Sequence, residues 1–163
     1  MAVVRVQAPA FDTGAELALM LAGRTDVGGV GCFVGLVRDS AGGRPITSMT
    51  LEHYPGMTER ALEAIAAEAE ARWELQGCTV VHRYGRLLPG EPIVLVLTAS
   101  PHRQAALDAT AFLIDWLKTR APFWKQEEFA SGGAQWVEAR TADTEAAARW
   151  GADASGSASV PSQ

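Results

Sequence analysis

A helix that must end at a proline constrains the fold of this chain more than any other feature of its sequence. Pro122 biases the residue before it away from the helical conformation, so the helix predicted ahead of it ends at residues 118–120. Ser100 and Pro101 are predicted to open this helix, because serine is a favoured N-cap and proline fits the first helical position. Apolar residues recur between these ends at helical spacing and predict a buried face: Leu107, Ala109, Phe112, Leu113, Trp116 and Leu117.

Both ends of this helix carry cations. His102 and Arg103 fall in its first turn, where unpaired backbone N–H groups and the positive end of the helix dipole favour an anion. Lys118 lies at its end, and Lys125 lies in the strand predicted to follow the proline. A lysine at a helix C-terminus is often an exposed partner of the helix dipole, so the residues alone leave a surface role for Lys118 open.

Composition favours a single soluble domain. The chain has 163 residues, of which 48% are hydrophobic and 20% charged, and residues 1–150 are enough to bury one core. Residues 151–163 are small and polar and are predicted to form a disordered tail. No apolar run reaches the roughly 18 residues of a membrane helix, and the layout of a signal peptide is missing. These observations predict a cytoplasmic protein without a membrane partner.

Charge and cysteine content exclude further classes. A net charge of −5 offers no basic surface for nucleic acid, so an anionic ligand should be small and bound by local cations. Cys32 and Cys78 lie in apolar runs and form neither a CxxC motif nor a Cys/His spacing typical of zinc. We interpret both as structural thiols and expect neither a metal site nor a cofactor.

The remaining chain alternates between strands and helices. Strands are predicted over residues 2–7, 28–38, 46–54, 78–84, 93–99, 123–129 and 134–139, and further helices over 13–21, 58–73 and 141–150. Thr13 and Glu16 fit a capping box at the first helix. His82 and Arg83 should face opposite sides of their strand. Several connections are hairpin-like, which favours an α+β domain with a mixed, largely antiparallel sheet packed by helices.

Residues 28–38 are rich in glycine but lack the spacings of dinucleotide-binding and Walker loops. We interpret them as a buried strand whose glycines let another part of the chain approach closely. Arg38 ends this strand. The residues alone leave a surface charge and a ligand-binding role for Arg38 equally open.

Six motifs in order resemble one known family. They read FVGLVRD, LEHYPGMTE, HRYGRLLPGE, SPHR, LKTRAPFWKQE and WVEAR, and the resemblance covers roughly residues 27–150. Together they are similar to the MoaE family, the large catalytic subunit of molybdopterin synthase. The resemblance implies a MoaE-like fold of the α/β-hammerhead type. It also implies a cytoplasmic sulfurtransferase of molybdenum cofactor biosynthesis, which converts cyclic pyranopterin monophosphate to molybdopterin by inserting two dithiolene sulfurs.

The same resemblance implies partners and site residues. The sulfur would arrive as the C-terminal thiocarboxylate of a small ubiquitin-like subunit, MoaD, in a heterotetramer built on a homodimer of large subunits. Lys118 and Lys125 would be catalytic, by pairing with the thiocarboxylate, stabilising an oxyanion or moving a proton. Glu127 would orient Lys125, since residues two apart share a strand face. The substrate-binding residues would be Leu36, Val37, Arg38, His102, Arg103, Lys118, Lys125, Gln126 and Glu127. Leu36 is apolar, so only its backbone could contribute.

Two other functions are considered. The chain could be a non-catalytic docking module that grips a ubiquitin-like tail, but tail capture would not require the lysine pair together with the anion site at residues 100–103. A phosphate-ester hydrolase would require a metal cluster, or a Ser or Cys nucleophile with its base, and the motifs supply neither.

Overall fold

The computed structural model of the protein describes residues 1–137 and 141–151. The strands in these residues are β1 (Val3–Gln7), β2 (Gly29–Leu36), β3 (Ser40–Ala41), β4 (Arg44–His53), β5 (Gly77–Arg83), β6 (Gly85–Leu87), β7 (Pro92–Ser100), β8 (Phe123–Phe129) and β9 (Ala134–Val137). The helices are α1 (Thr13–Leu21), α2 (Met57–Trp73), α3 (Arg103–Thr119) and α4 (Thr141–Ala148). The prediction for residues 152–163, and the end of the last predicted strand at 138–139, lie outside the described residues.

The strands form two sheets. The first has the order β1-β5-β7-β2, in which β1 pairs with β5 in parallel and the other pairs are antiparallel. The second has the order β3-β4-β8-β9, with β6 also paired to β4, and it is antiparallel throughout. The predicted α+β class with a mixed, largely antiparallel arrangement is confirmed. No helix among the described residues combines the length and apolar content that crossing a membrane requires.

Helices cover both faces of the first sheet. Because successive strand residues face opposite sides, Val80 of β5 and Val96 of β7 belong to the main core with residues of α2 and α3. Val81 and Leu97 face the other way and pack with Leu17 and other side chains at α1. Burial on both faces explains why β7 reads as a nearly continuous apolar run.

The predicted start of α3 and the predicted N-cap of α1 were wrong, although α1 spans residues 13–21 as predicted. α3 begins at Arg103 with His102 as its N-cap, because Ser100 is still paired in β7 and its hydroxyl accepts a hydrogen bond from the backbone N–H of His102 at 3.2 Å. The N-cap of α1 is Asp12, whose Oδ1 accepts from the N–H of Ala15 at 2.9 Å, so the capping box at Thr13 does not form. In both cases another polar residue nearby took the capping position.

The buried face of α3 was predicted correctly except at its beginning. Ala109, Phe112 and Leu113 are buried, whereas Leu107 is 56% exposed. Leu107 lies in the first turns of α3, where the helix begins two residues later than predicted, and the face turned to the sheets there is held by Ala106 and Thr110.

The glycines of β2 allow the close approach that the sequence predicts. A Cβ atom on Gly31 would lie 2.2 Å from Oγ1 of Thr110 and 2.6 Å from the carbonyl oxygen of Ala106, both in α3. Gly31 therefore sets the distance between the sheet and the helix.

The two cysteines differ in their surroundings. Cys78 is buried, which raises the pKa of its thiol to about 12, whereas Cys32 is exposed on β2. The interpretation of Cys32 as a packed thiol was wrong, because β2 is an edge strand of its sheet.

Candidate functional site

The proline turn brings Lys118 and Lys125 together. α3 ends at Thr119 and β8 begins at Phe123, so the chain reverses within a few residues and both lysine side chains reach the same point. The two side chains lie close enough for the positive charge of Lys118 to act on Lys125.

The surroundings of Lys125 make its charged form less favourable. Its burial, and then the positive charge of Lys118, lower the pKa of Lys125 to about 8, while the negative charges of Asp143 and Glu127 oppose the shift. The folded pKa lies below the unfolded value, so the charged form costs stability below about pH 8, and this cost disappears as the pH rises toward 10.5. Near pH 8 an appreciable fraction of Lys125 is a neutral amine, able to accept a proton.

Two stacked rings lie near this pair. The ring of His82 stacks on that of Phe123 with centroids 3.8 Å apart and planes 17° apart. Burial is the main cause that lowers the pKa of His82 to about 3, and the charges of Lys125 and Lys118 act in the same direction. Nδ1 of His82 lies 2.8 Å from the carbonyl oxygen of Arg83, which can only accept, so the proton of this neutral imidazole is on Nδ1.

His82 is a neighbour of the lysines that the sequence did not single out. The prediction that His82 and Arg83 face opposite sides holds. Arg83 donates from Nε to the carbonyl oxygen of Ala8 and from Nη1 to that of Pro92, both at 3.0 Å, and has a structural role. His82 itself pairs with two apolar residues, Val6 of β1 and Val94 of β7, and an uncharged imidazole in such a place needs a specific neighbour.

Glu127 and Gln126 lie on opposite faces of β8. Glu127 is buried and shares the face of Lys125, with which it interacts through charge. Gln126 faces the other side, at the position paired with Thr50 and Trp136. The structure therefore places Glu127, but not Gln126, beside the lysine pair.

An open cleft of about 460 Å³ adjoins this face of β8. Its lining residues come from the β3–β4 turn and from the β8–β9 hairpin: Ala41, Gly42, Arg44, Glu127, Phe129, Gln135, Trp136 and Val137. The guanidinium of Arg44 lies 3.8 Å above the ring of Phe129 and adds a positive charge to the cleft. Because Lys125 pairs with Val137 in the hairpin, the cleft leads along the strands toward the lysines.

Residues 36–38 lie at the same end of the first sheet as the lysines. Gly35 pairs with Val94, and Val94 pairs with His82, so about 10 Å, two strand spacings, separate Gly35 from His82. Leu36 and Arg38 are exposed there. Val37 is buried, and its backbone N–H and C=O are already bonded to Glu91 and Gly90, so it has no free group for a ligand.

His102 and Arg103 lie far from the lysines within one chain. Both are exposed at the start of α3, next to Gly29, which pairs with Ser100 at the opposite end of β2. From Arg103 to Lys118 the helix rises about 22 Å at 1.5 Å per residue. The structure thus brings together the lysines and Glu127, places Arg38 at the same end, and leaves the predicted anion site at the other end.

Comparison with known proteins shows which protein family this chain resembles. The model of the family described as "MoaE protein" matches residues 6–120. The molybdopterin synthase catalytic subunit of Pseudomonas aeruginosa is 57% identical over 147 residues, which cover 90% of this chain and 97% of that protein. The protein of the same name from Mesorhizobium japonicum is 55% identical over 148 residues, covering 90% and 92%. The solved structure of a molybdopterin biosynthesis MoaE protein from Burkholderia ambifaria superposes with a TM-score of 0.79 at 49% identity, covering 94% and 100%.

Proposed function

Since the chain belongs to the MoaE protein family, we propose that it is the catalytic subunit of a molybdopterin synthase. In this proposal it works in the cytoplasm and converts cyclic pyranopterin monophosphate to molybdopterin. The sulfur comes from the C-terminal thiocarboxylate of a small ubiquitin-like subunit. The observation that carries the proposal is the placement of Lys118 and Lys125 on either side of one proline turn, where the pKa of Lys125 is lowered to about 8.

The two lysines would divide the chemistry. The thiocarboxylate sulfur bonds to a substrate carbon as a carbon–oxygen bond at that carbon breaks, and the oxygen leaves on the opened cyclic phosphate or as water. Water then cleaves the acyl–sulfur bond, which leaves a carboxylate on the small subunit and a thiolate on the pterin, while the released protons pass to a base and to solvent. Lys118, the more exposed lysine, supplies a positive charge to the thiocarboxylate and to the oxyanion of the acyl step. Lys125, as a neutral amine near pH 8, accepts a proton. Glu127 then holds Lys125 in place through its charge.

Neither cysteine suits the role of sulfur carrier. Cys78 is buried and the pKa of its thiol is about 12, so it has almost no thiolate at neutral pH. Cys32 lies on β2, one strand beyond β7 and two beyond β5, which carries His82. If a partner protein delivers the sulfur, the reaction needs no cysteine of this chain near Lys118 and Lys125.

The alternative of a docking module explains less of the site. A tail that ends in a carboxylate can be held by exposed lysines, which keep their charge in water. Burying the ammonium group of one lysine beside that of another costs free energy, and binding a carboxylate tail does not require such burial. A neutral amine is useful when a proton has to move.

The direct test is turnover with defined components. The protein is incubated with cyclic pyranopterin monophosphate and a small subunit that carries a C-terminal thiocarboxylate, and the pterin is analysed by mass spectrometry. We expect a product that has gained two sulfurs, and none when the small subunit ends in an ordinary carboxylate. A thiocarboxylated subunit that binds tightly but leaves the pterin unchanged would support the docking module instead.

We also propose a homodimer that completes the substrate site, with one small subunit bound to each large one in a heterotetramer. The 22 Å that separate Arg103 from Lys118 exceed the size of a pterin phosphate, so one chain cannot offer both groups to one substrate molecule. A second copy that presents its Arg103 end to the lysine end of the first would unite them.

Sedimentation at micromolar concentration should therefore give a dimer without substrate. A further check mixes Arg103→Ala and Lys118→Ala chains under conditions that exchange subunits. Each mixed dimer then contains one site with both residues intact, and we expect activity well above that of either variant alone. A monomer in sedimentation, or a mixture no more active than its parts, would contradict the shared site.

Replacement of Arg103 by alanine should weaken binding of the phosphorylated pterin about tenfold or more. A hydrogen bond to a charged group contributes roughly 1.5–3 kcal/mol, and tenfold in affinity is about 1.4 kcal/mol. Calorimetry with pterin and, separately, with the small subunit measures both affinities, and Arg60→Ala, an exposed arginine on α2, serves as the control. Equal loss of both affinities would remove Arg103 from the substrate site.

A further inference from the structure

The last described helix is fixed to the core at its C-terminal end. Trp150, just beyond α4, meets the rings of Trp73 and Phe112 edge-on, with centroids 5.6 and 5.7 Å apart and planes at 85° and 87°. Its indole Nε1–H donates to Oδ2 of Asp115 at 2.6 Å. A buried indole with its N–H bonded is a stable anchor, because its apolar area and its polar group are both satisfied.

Charged side chains reinforce this anchor. Arg149 donates from Nη2 to the same Asp115 oxygen at 2.8 Å. Arg72 of α2 donates from Nη1 and Nη2 to the carbonyl oxygen of Trp150 at 3.4 and 3.5 Å, and its guanidinium lies 5.7 Å from the indole. Residues 149–150 are thus held by α2 and α3 together.

The other end of α4 lies near Lys125. Val137, the last residue of β9, pairs with Lys125, and α4 begins four residues later. Because four residues span only a short distance, α4 must begin close to Lys125. Asp143 lies in the first turn of α4, and its negative charge acts on Lys125. The anchor residue Asp115 precedes Lys118 by three positions on α3, so the two occupy the same face of that helix.

We propose that α4 is a strap that holds Asp143 beside Lys125 as a counter-charge, and that the Trp150 anchor keeps the strap in place. Asp143 is a positioning residue in this arrangement: it acts on the reaction through Lys125. An isolated helix of eight residues is unstable in water, so the place of Asp143 depends on what fixes α4 to the core.

Among the described residues, a small set of charged or titratable groups acts on Lys125 or lies close to it. They are Lys118 of α3, Glu127 of β8, Asp143 of α4 and His82 of β5, with His53 of β4 beyond His82. His82 is uncharged, so two carboxylates face two amines. Removal of Asp143 leaves one carboxylate for the pair, and the charged form of Lys125 then becomes less favourable. We therefore expect loss of Asp143, or of its anchor, to make Lys125 lose its proton at a lower pH.

The experiment titrates Lys125 directly, in the full-length protein. Carbon-13 NMR of protein with labelled lysine follows each side chain against pH, and Lys125→Arg identifies the resonance. Asp143→Asn should move the titration midpoint of Lys125 down by about 0.5 to 1 pH unit, the size expected for one nearby charge that is partly screened by solvent. Glu145→Gln is the matched control, because it removes the same charge from an exposed position of the same helix. Asp143→Glu should restore the wild-type midpoint.

The anchor is tested in the same titration. Trp150→Phe keeps an aromatic ring but loses the N–H bond to Asp115, and it should move the midpoint in the same direction as Asp143→Asn by a smaller amount. Adding Trp150→Phe to Asp143→Asn should cause no further shift, because the anchor acts through Asp143. A midpoint in Asp143→Asn equal to that in Glu145→Gln would overturn the role of Asp143, and additive shifts would overturn the strap. The role of Asp143 in turnover rests on the proposed function, but this titration needs no substrate, so the two can fail separately.

Discussion

Lys118→Ala is expected to lower the single-turnover rate of sulfur transfer by about 10²–10³-fold, the cost of removing one group that stabilises an oxyanion. The variant should remain folded and able to bind the small subunit, because Lys118 is exposed and contributes little to the core. Quenched-flow measurement with thiocarboxylated subunit gives the rate. Loss of the positive charge of Lys118 should also raise the pKa of Lys125 from about 8, so the pH dependence should move to higher pH.

Lys118→Arg separates charge from geometry. Arginine retains the positive charge, so the pH dependence should stay near that of the natural protein, while the wider guanidinium should recover only part of the rate. If Lys118→Ala kept more than a tenth of the rate, or if its pH dependence did not move, the charge of Lys118 would have no part in the reaction. Full activity in Lys118→Arg would show that charge alone is needed.

Gly31→Ala is expected to destabilise the protein by about 3 kcal/mol, at the upper end of the usual cost of overpacking. The added methyl would lie 2.2 Å from Oγ1 of Thr110, and that hydroxyl cannot move freely. It is hydrogen-bonded to Oγ1 of Thr98 at 2.8 Å and to the carbonyl oxygen of Ala106 at 2.9 Å. Either α3 moves away from the sheet or this network breaks.

Urea unfolding of Gly31→Ala and Gly29→Ala gives the comparison. Gly29 lies two residues earlier on the same face of β2, and a methyl there would meet nothing closer than 3.4 Å, so we expect less than about 1 kcal/mol of change. The same free energy of unfolding for the two variants would show that α3 yields to the extra volume. A shift of α3 would also displace Lys118, so turnover of Gly31→Ala reports the same movement.

Elements with strong periodicity could be predicted from the sequence. The strands β5, β7 and β8 and the helices α2 and α3 agree with the predictions to within three residues at each end, because apolar spacing decides their faces. β3 and β6 were missed, since two or three residues show no period, and both exist only through their pairing with β4. The start of α3 was missed because Ser100 suits a cap as well as a strand end, and the ladder with β2 decided between them.

The candidate site was predictable only where it is local in sequence. Lys118 and Lys125 flank one proline, so a single turn sets their separation. The distance from Arg103 to Lys118 is set by the length of α3, which lies between them. The motifs alone were therefore grouped into one site without regard to this distance. Asp143 and His82 approach Lys125 from elements that are far away along the chain. No spacing rule links those positions.

The strand order of the first sheet also determines when the protein can fold. Its two outer strands, β1 and β2, are the first two strands of the chain, and their partners β5 and β7 end at Arg83 and Ser100. During synthesis, the outer strands β1 and β2 therefore leave the ribosome well before β5 and β7, the inner strands with which they must pair. Such long-range pairings slow folding and leave strand edges open to other chains in the meantime. β5 and β7, which have only the short strand β6 between them along the chain, should pair first, and the N-terminal strands should then join on either side of this pair.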